Sequence, residues 1–332
     1  MGGPQAPWRV LVSDQLSEEG LVVLREDPQV EVVVKTGLSP EELKREVKEA
    51  HALLVRSATK VTADIIAAGE HLLVIGRAGG GVDNIDVDAA TRAGVGVYNS
   101  AAAAPPRRGV VVCNSPEGNT IAAAEHTWAL LLAVARSVPA ANASVAAGEW
   151  KRSAFLGVEL LNKTLGVVGL GKIGAEVAVR ANAFGMRVIA FDPFVAADRA
   201  ARIGVEMVGL EDLLARSDFI TMHVPLTRET QHMIGAASLA RVKPGVRIIN
   251  CSRGGIVDEA ALAEAIKAGR VAGAGLDVFE KEPPRDSPLL GLPNVVLTPH
   301  LGASTEEAQL RVAVDVAQQV LDVLHGRPAR SA

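Results

Sequence analysis

Short apolar runs punctuate the first hundred residues at even intervals. Residues 8–12, 30–34, 52–55 and 72–75 are four or five residues long and rich in Val, Leu and Ile, with no polar alternation along most of them. Runs of that kind suit strands buried on both faces, as in a parallel sheet. Stretches of helical period lie between them. Ser39, Pro40 and Glu42 supply an N-cap, a proline at the first helical position and a capping-box acid. Thr62 opens another helix. The rhythm resumes at residue 165 and runs to 297, with strands expected at 219–223, 247–250, 273–276 and 295–297. A long apolar helix over 120–136 separates the halves, and residues 304–325 have the spacing of an amphipathic helix returning to the first half. The pattern predicts an α/β protein of two doubly wound parallel-sheet domains with a cleft between them. The first would be a substrate-binding domain, 1–115 plus 303–332, and the second a nucleotide-binding domain, 116–302.

One segment breaks the rhythm. Residues 92–100 nearly repeat as 107–115, with an alanine and proline tract between the copies. Only one copy fits a given strand position. The second has the better strand composition, so it is expected in the sheet and the first in a surface loop.

Composition narrows the class. The 332 residues are 48% hydrophobic and 22% charged, enough for two ordinary cores. A net charge of −4 gives no reason to expect nucleic acid or an anionic membrane as a partner. Two cysteines, Cys113 and Cys251, make no disulfide framework and no zinc motif. The N-terminal stretch lacks a basic and apolar leader pattern, and the apolar run 121–135 carries Glu125 and His126 and is too short to span a bilayer. A cytoplasmic protein is expected, with no metal.

Residues 165–192 carry the clearest chemistry. An apolar run is followed by Gly169, Gly171 and Gly174, a helical stretch, and a second apolar run ending in Asp192. Gly169 suits a tight turn, Gly171 a pyrophosphate approaching the backbone, and Gly174 close packing of helix on strand. The positive end of that helix would face the phosphates. Asp192, 18 residues after Gly174, is placed to accept ribose hydroxyls and to repel a 2′-phosphate. The expected cofactor is NAD rather than NADP.

An enzyme using such a cofactor on an alcohol needs a proton acceptor and a cation for an anionic substrate. His300 follows the strand at 295–297, Glu282 lies on the loop entering the same region, and Arg253 comes off the end of another strand. A carboxylate beside the imidazole would raise its pKa and fix its tautomer, and a guanidinium can grip a carboxylate bidentately. Each residue also has an ordinary structural reading, as a hydrogen-bonder, a solvated acid or a salt-bridge partner. Their coincidence on successive strand-end loops beside a nucleotide site favours chemistry. His51, His71 and His126 are given no role; His232 and His325 are expected at the surface, and His223 beneath the nicotinamide.

Segments spread over nearly the whole chain resemble the D-isomer-specific 2-hydroxyacid dehydrogenases. They include residues 53–60, 76–86, 111–120, 169–174, 250–259, 276–283 and 298–304. The resemblance implies a flavodoxin-like substrate domain and a Rossmann NAD-binding domain. It makes Arg253, Glu282 and His300 the catalytic set. Cofactor contacts would fall on Gly80, on Lys172 and Ile173 within the glycine turn, and on Val224. Further contacts are implied at Cys251, Ser252 and Arg253, at Asp277, and at His300, Leu301, Gly302 and Ala303. Substrate contacts would come from Arg56, Ser57, Arg77, Gly79 and Arg253, with Arg152 reaching from a second subunit. Arg56 and Arg152 together suit a phosphorylated 2-hydroxy acid. A homodimer or homotetramer through the NAD-binding domain is implied, and a short form without regulatory domains is expected. A reductase of unphosphorylated 2-keto acids and a non-catalytic NAD-sensing protein stand as alternatives.

Overall fold

The computed structural model describes residues 7–93 and 110–330. The chain divides into two compact units, one reaching Asn119 and resuming at Ala303, the other spanning Thr120–Gly302.

The first unit alternates β1 (Trp8–Val12), α1 (Glu18–Arg25), β2 (Val30–Val34), α2 (Pro40–Val47), β3 (Ala52–Val55), α3 (Ala63–Ala68), β4 (Val74–Arg77), α4 (Val87–Arg92) and β5 (Val111–Asn114). The strands form one parallel sheet in the order β2-β1-β3-β4-β5, the flavodoxin-like order. The Ser39 capping box forms as expected: its hydroxyl accepts from the Glu42 N–H while the Glu42 carboxylate accepts from the Ser39 N–H. β5 is the second copy of the near-repeat; most of the first copy lies outside the described residues. β4 runs two residues further than the apolar pattern suggested. Gly76 looks like a strand breaker in sequence, yet a Cβ there would lie 2.8 Å from the Val316 and Val320 side chains. Its bareness admits the helix that covers the sheet.

The second unit contains α5 (Thr120–Arg136), α6 (Val138–Ala146), β6 (Thr164–Val168), α7 (Lys172–Ala183), β7 (Arg187–Phe191), α8 (Ala197–Ala201), β8 (Val205–Met207), α9 (Leu210–Arg216), β9 (Phe219–Met222), α10 (Ala236–Leu239), β10 (Val246–Asn250), α11 (Glu259–Lys267), β11 (Val271–Leu276) and β12 (Val295–Leu297). Its seven strands are all parallel, in the order β12-β11-β10-β9-β6-β7-β8. The order reverses between β6 and β9, where doubly wound sheets bind ligands. α5 buries Leu130, Leu131 and Val134 in this unit's core. The chain ends with α12 (Glu306–Leu324), whose Val312, Val316 and Val320 pack in the core of the first unit. Among the described residues, no single helix is long and apolar enough to cross a membrane.

Candidate active site

All the expected loops of the second unit leave the C-terminal ends of their strands. The turn after β6 is built by close approach. Gly169 has a φ of +91°, and a Cβ on Gly174 would stand 2.1 Å from the Gly169 carbonyl oxygen. α7 therefore starts tight against its strand, with Lys172 and Ile173 in its first turn. Its N-cap Gly171 makes no side-chain capping bond, and a Cβ on Gly171 would meet nothing within 4 Å. The positive end of a helix that begins at such an open turn suits a phosphate. Asp192 closes β7, its two oxygens accepting from the Leu170 N–H and the Phe194 N–H, both at 2.8 Å. That fixes a carboxylate beside the glycine turn, so these residues fit a dinucleotide.

β9 is followed by His223 and Val224, and the Val224 Cγ1 would sit 2.6 Å from a Cβ on Gly169. His223 Nε2 and Thr221 Oγ1 are 3.0 Å apart, and burial pushes this imidazole down to about 4, which keeps it neutral. After β10, Asn250 splints the turn that carries Cys251, Ser252 and Arg253. Its Oδ1 accepts from the Ser252 N–H at 3.0 Å, and its Nδ2 donates to the Arg253 carbonyl at 2.9 Å.

Two of the three catalytic candidates, His300 and Glu282, meet. His300 Nδ1 lies 2.8 Å from Glu282 Oε2, and Glu282 Oε1 accepts from the Phe279 N–H at 3.2 Å. The hydrogen bond to Glu282 holds His300 above the ordinary imidazole range; burial and the Arg253 charge oppose it. Burial would raise the Glu282 carboxyl, but the bond and charge of His300 outweigh that and hold it low. With Nδ1–H donated to Glu282, Nε2 is the ring nitrogen left to exchange a proton. The backbone at His300 has a φ of +56°, a conformation uncommon for a residue with a side chain. Its N–H donates to the carbonyls of Asp277 (2.9 Å) and Thr298 (3.0 Å). Leu301 and Gly302 donate their N–H groups to the Asp277 carboxylate, each at 2.7 Å.

In the first unit, Arg56 and Ser57 follow β3 on a loop stapled by Asp14, which accepts from the Arg56 N–H at 2.6 Å and the Thr59 hydroxyl at 2.7 Å. Asn84 Nδ2 donates to the Arg56 and Thr59 carbonyls at 2.6 and 2.7 Å. Arg77 closes β4, with its guanidinium over Gly79, and the Gly80 carbonyl accepts from Asn114 Nδ2 at 2.8 Å. Ala303 begins this unit's second segment. Arg152 opens an exposed 3₁₀ turn, Arg152–Phe155, in the other unit, so within one chain it does not share a unit with Arg56.

One histidine corrects the sequence reading. His126, given no role, sits within 3.1 Å of Asp277 Oδ1 and 3.0 Å of Thr298 Oγ1. The available signal was a polar residue inside a mostly apolar helix. His232 and His325 lie at the surface as expected, and His325 there meets Asp27 at 2.6 Å and makes an edge-type ring contact with Trp8 at 4.9 Å. His232 faces Glu280 at 3.3 Å. Asp14, Asn84 and Asn250 were also missed; they act on loop backbone, which leaves no periodic trace.

Residues 128–302 match the family model for the D-isomer specific 2-hydroxyacid dehydrogenase NAD binding domain, and residues 10–107 match that family's catalytic domain. A D-3-phosphoglycerate dehydrogenase of Synechocystis is 55% identical over 98% of this chain and 55% of its own length. The chain thus spans little more than half the length of the curated relatives it matches. A Thermus thermophilus protein of known structure is 36% identical, with a TM-score of 0.85 over 97% of this chain and 99% of that one. A D-lactate dehydrogenase from Aquifex aeolicus, solved with NAD and lactic acid, is 28% identical, with a TM-score of 0.82 over 96% of each chain. The sheet orders, the glycine turn and these matches agree: the chain belongs to the D-isomer-specific 2-hydroxyacid dehydrogenases.

Proposed function

We propose that this chain catalyses the NAD-linked oxidation of 3-phospho-D-glycerate to 3-phosphohydroxypyruvate, the first step of serine synthesis. The observation that carries the reading is the 2.8 Å pair of His300 and Glu282, on the same sheet edge as the glycine turn. The identity to D-3-phosphoglycerate dehydrogenases supports the choice of substrate.

NAD, when bound by the glycine turn and Asp192, supplies the hydride acceptor. His300 Nε2 takes the proton of the substrate C2 hydroxyl, and Glu282 stabilises the imidazolium that forms. In the reverse direction His300 returns that proton to the keto oxygen. Arg253 holds the substrate carboxylate, its turn braced by Asn250. Arg56, Ser57, Arg77 and Gly79 contact the substrate from the first unit, Arg56 with Arg152 of a second subunit taking the phosphate. Gly80, Val224, Cys251, Ser252, Asp277 and 301–303 contact NAD. Trp150 and Leu156 flank Arg152 and are 79% and 93% exposed, an apolar face suited to a homodimer through the second unit.

The test is NADH formation from 3-phosphoglycerate with NAD, repeated with NADP and with glyoxylate, hydroxypyruvate and D-lactate in the appropriate direction. NAD-dependent turnover that prefers the phosphorylated acid is expected. Preference for an unphosphorylated acid would move the substrate assignment, and tight NAD binding without turnover of any of these acids would overturn the enzymatic reading.

A further inference from the structure

The carboxylate of Asp277, fully buried at the end of β11, accepts from four donors of its own chain. Oδ1 receives the Thr298 hydroxyl at 2.6 Å and the Leu301 N–H at 2.7 Å, and Oδ2 receives the Gly302 N–H at 2.7 Å. The fourth donor is His126, on α5, whose Nε2 is 3.1 Å from Oδ1 and 3.0 Å from Thr298 Oγ1. Counting hydrogens fixes its state. Asp277 is an ionised acceptor, and Thr298 spends its one hydrogen on Asp277, so neither has a proton to give. Nε2 must carry the hydrogen and share it between them.

We propose that His126 is a positioning residue: its Nε2–H locks the Asp277 and Thr298 pair, which holds the 301–302 backbone and thereby His300 against Glu282. The inference rests on His300 being the acid/base of the proposed reaction. Three observations carry it. His300 sits at a positive φ of 56°, a conformation that persists only when its surroundings hold it. Its N–H and the next two N–H groups all end on Asp277, one on the carbonyl and two on the carboxylate. The His126 side chain is only 18% exposed on a helix that buries mostly apolar side chains, so an unsatisfied imidazole there would be costly.

Turnover of 3-phosphoglycerate with NAD should be compared in wild type, His126→Leu, His126→Gln and His300→Ala, with NADH binding followed by fluorescence and folding by thermal melt. Loss of the donor in His126→Leu is expected to lower kcat about 10- to 100-fold with KM nearly unchanged. Glutamine, whose amide nitrogen reaches the same place, should restore most of it. A His126→Leu enzyme within about twofold of wild type, beside an inactive His300→Ala, would overturn the inference and leave the catalytic reading standing. Failure of His126→Gln to rescue a folded, slow His126→Leu would overturn it too. An active His300→Ala would instead remove the reading beneath it. If His126→Leu does not fold, two measurements still decide. The ¹⁵N spectrum of wild type must show His126 protonated at Nε2, and Thr298→Val must lower kcat; an unprotonated Nε2 or an unchanged kcat overturns the proposal.

Discussion

Replacing Glu282 by glutamine keeps the shape of the side chain and removes its charge, which isolates what the carboxylate does for His300. In the proposed reaction the imidazolium forms only as the substrate proton moves, so the Glu282 charge would stabilise the transition state more than the ground state. With 2.8 Å between Nδ1 and Oε2, the charge centres lie about 4 Å apart, worth about 1 kcal/mol in bulk water and about 4 kcal/mol at a typical protein-surface dielectric. The two side chains are 48% and 40% exposed, so screening places the effect near the lower end, about 1–2 kcal/mol. That corresponds to a fall in kcat of about 5- to 30-fold. Removing the base itself, in His300→Ala, should cost about two to four decades. If Glu282 acts only through His300, adding Glu282→Gln to His300→Ala should cost nothing further. The pH profile gives a second reading. Oxidation needs neutral imidazole, and the Glu282 bond holds His300 protonated to higher pH than an ordinary histidine. Its loss should therefore move the acid limb of the oxidation profile to lower pH. Initial rates of NADH formation across pH for the four enzymes test both points. An equal penalty for Glu282→Gln with and without His300, or an acid limb that moves upward, would refute the reasoning.

Three further outcomes follow from the same coordinates. Gly174→Ala puts a methyl 2.1 Å from the Gly169 oxygen, so α7 must retreat by about 1 Å; kcat/KM for NAD should fall about 100-fold and the thermal midpoint should drop. Asp192→Ala removes the acceptor for the Leu170 and Phe194 N–H groups and the charge that excludes a 2′-phosphate. The KM for NAD should rise about tenfold or more while that for NADP falls, measured side by side with one substrate. Burial pushes the Cys113 and Cys251 thiols up to about 12, so a thiol-specific disulfide reagent should modify neither in the folded protein and both after denaturation.

How much of this is legible in the sequence depends on the range over which each feature is encoded. β1, β2, β3 and β12 begin and end where their apolar runs do; β3 is buried along its whole length, whereas β2 and β12 are edge strands with no buried residue, where β-branched composition rather than burial marks the strand. β8 and the short helices α8, α9 and α10 were not anticipated: three to seven residues carry too little periodicity to register. Gly76 was misleading for the opposite reason, since the helix that requires it arrives 240 residues later. His300 and Glu282 stand out because each lies on the loop that follows a strand, and parallel strands deliver their following loops to one edge of the sheet. His126 is different. Its partner Asp277 is 151 residues away, and the contact exists only because α5 packs across β10, β11 and β12. No local pattern marks that meeting, yet it accounts for a polar residue tolerated within a buried helix. The groups proposed to face the chemistry thus follow strand ends, whereas the histidine proposed to brace them is placed by the packing of a distant helix.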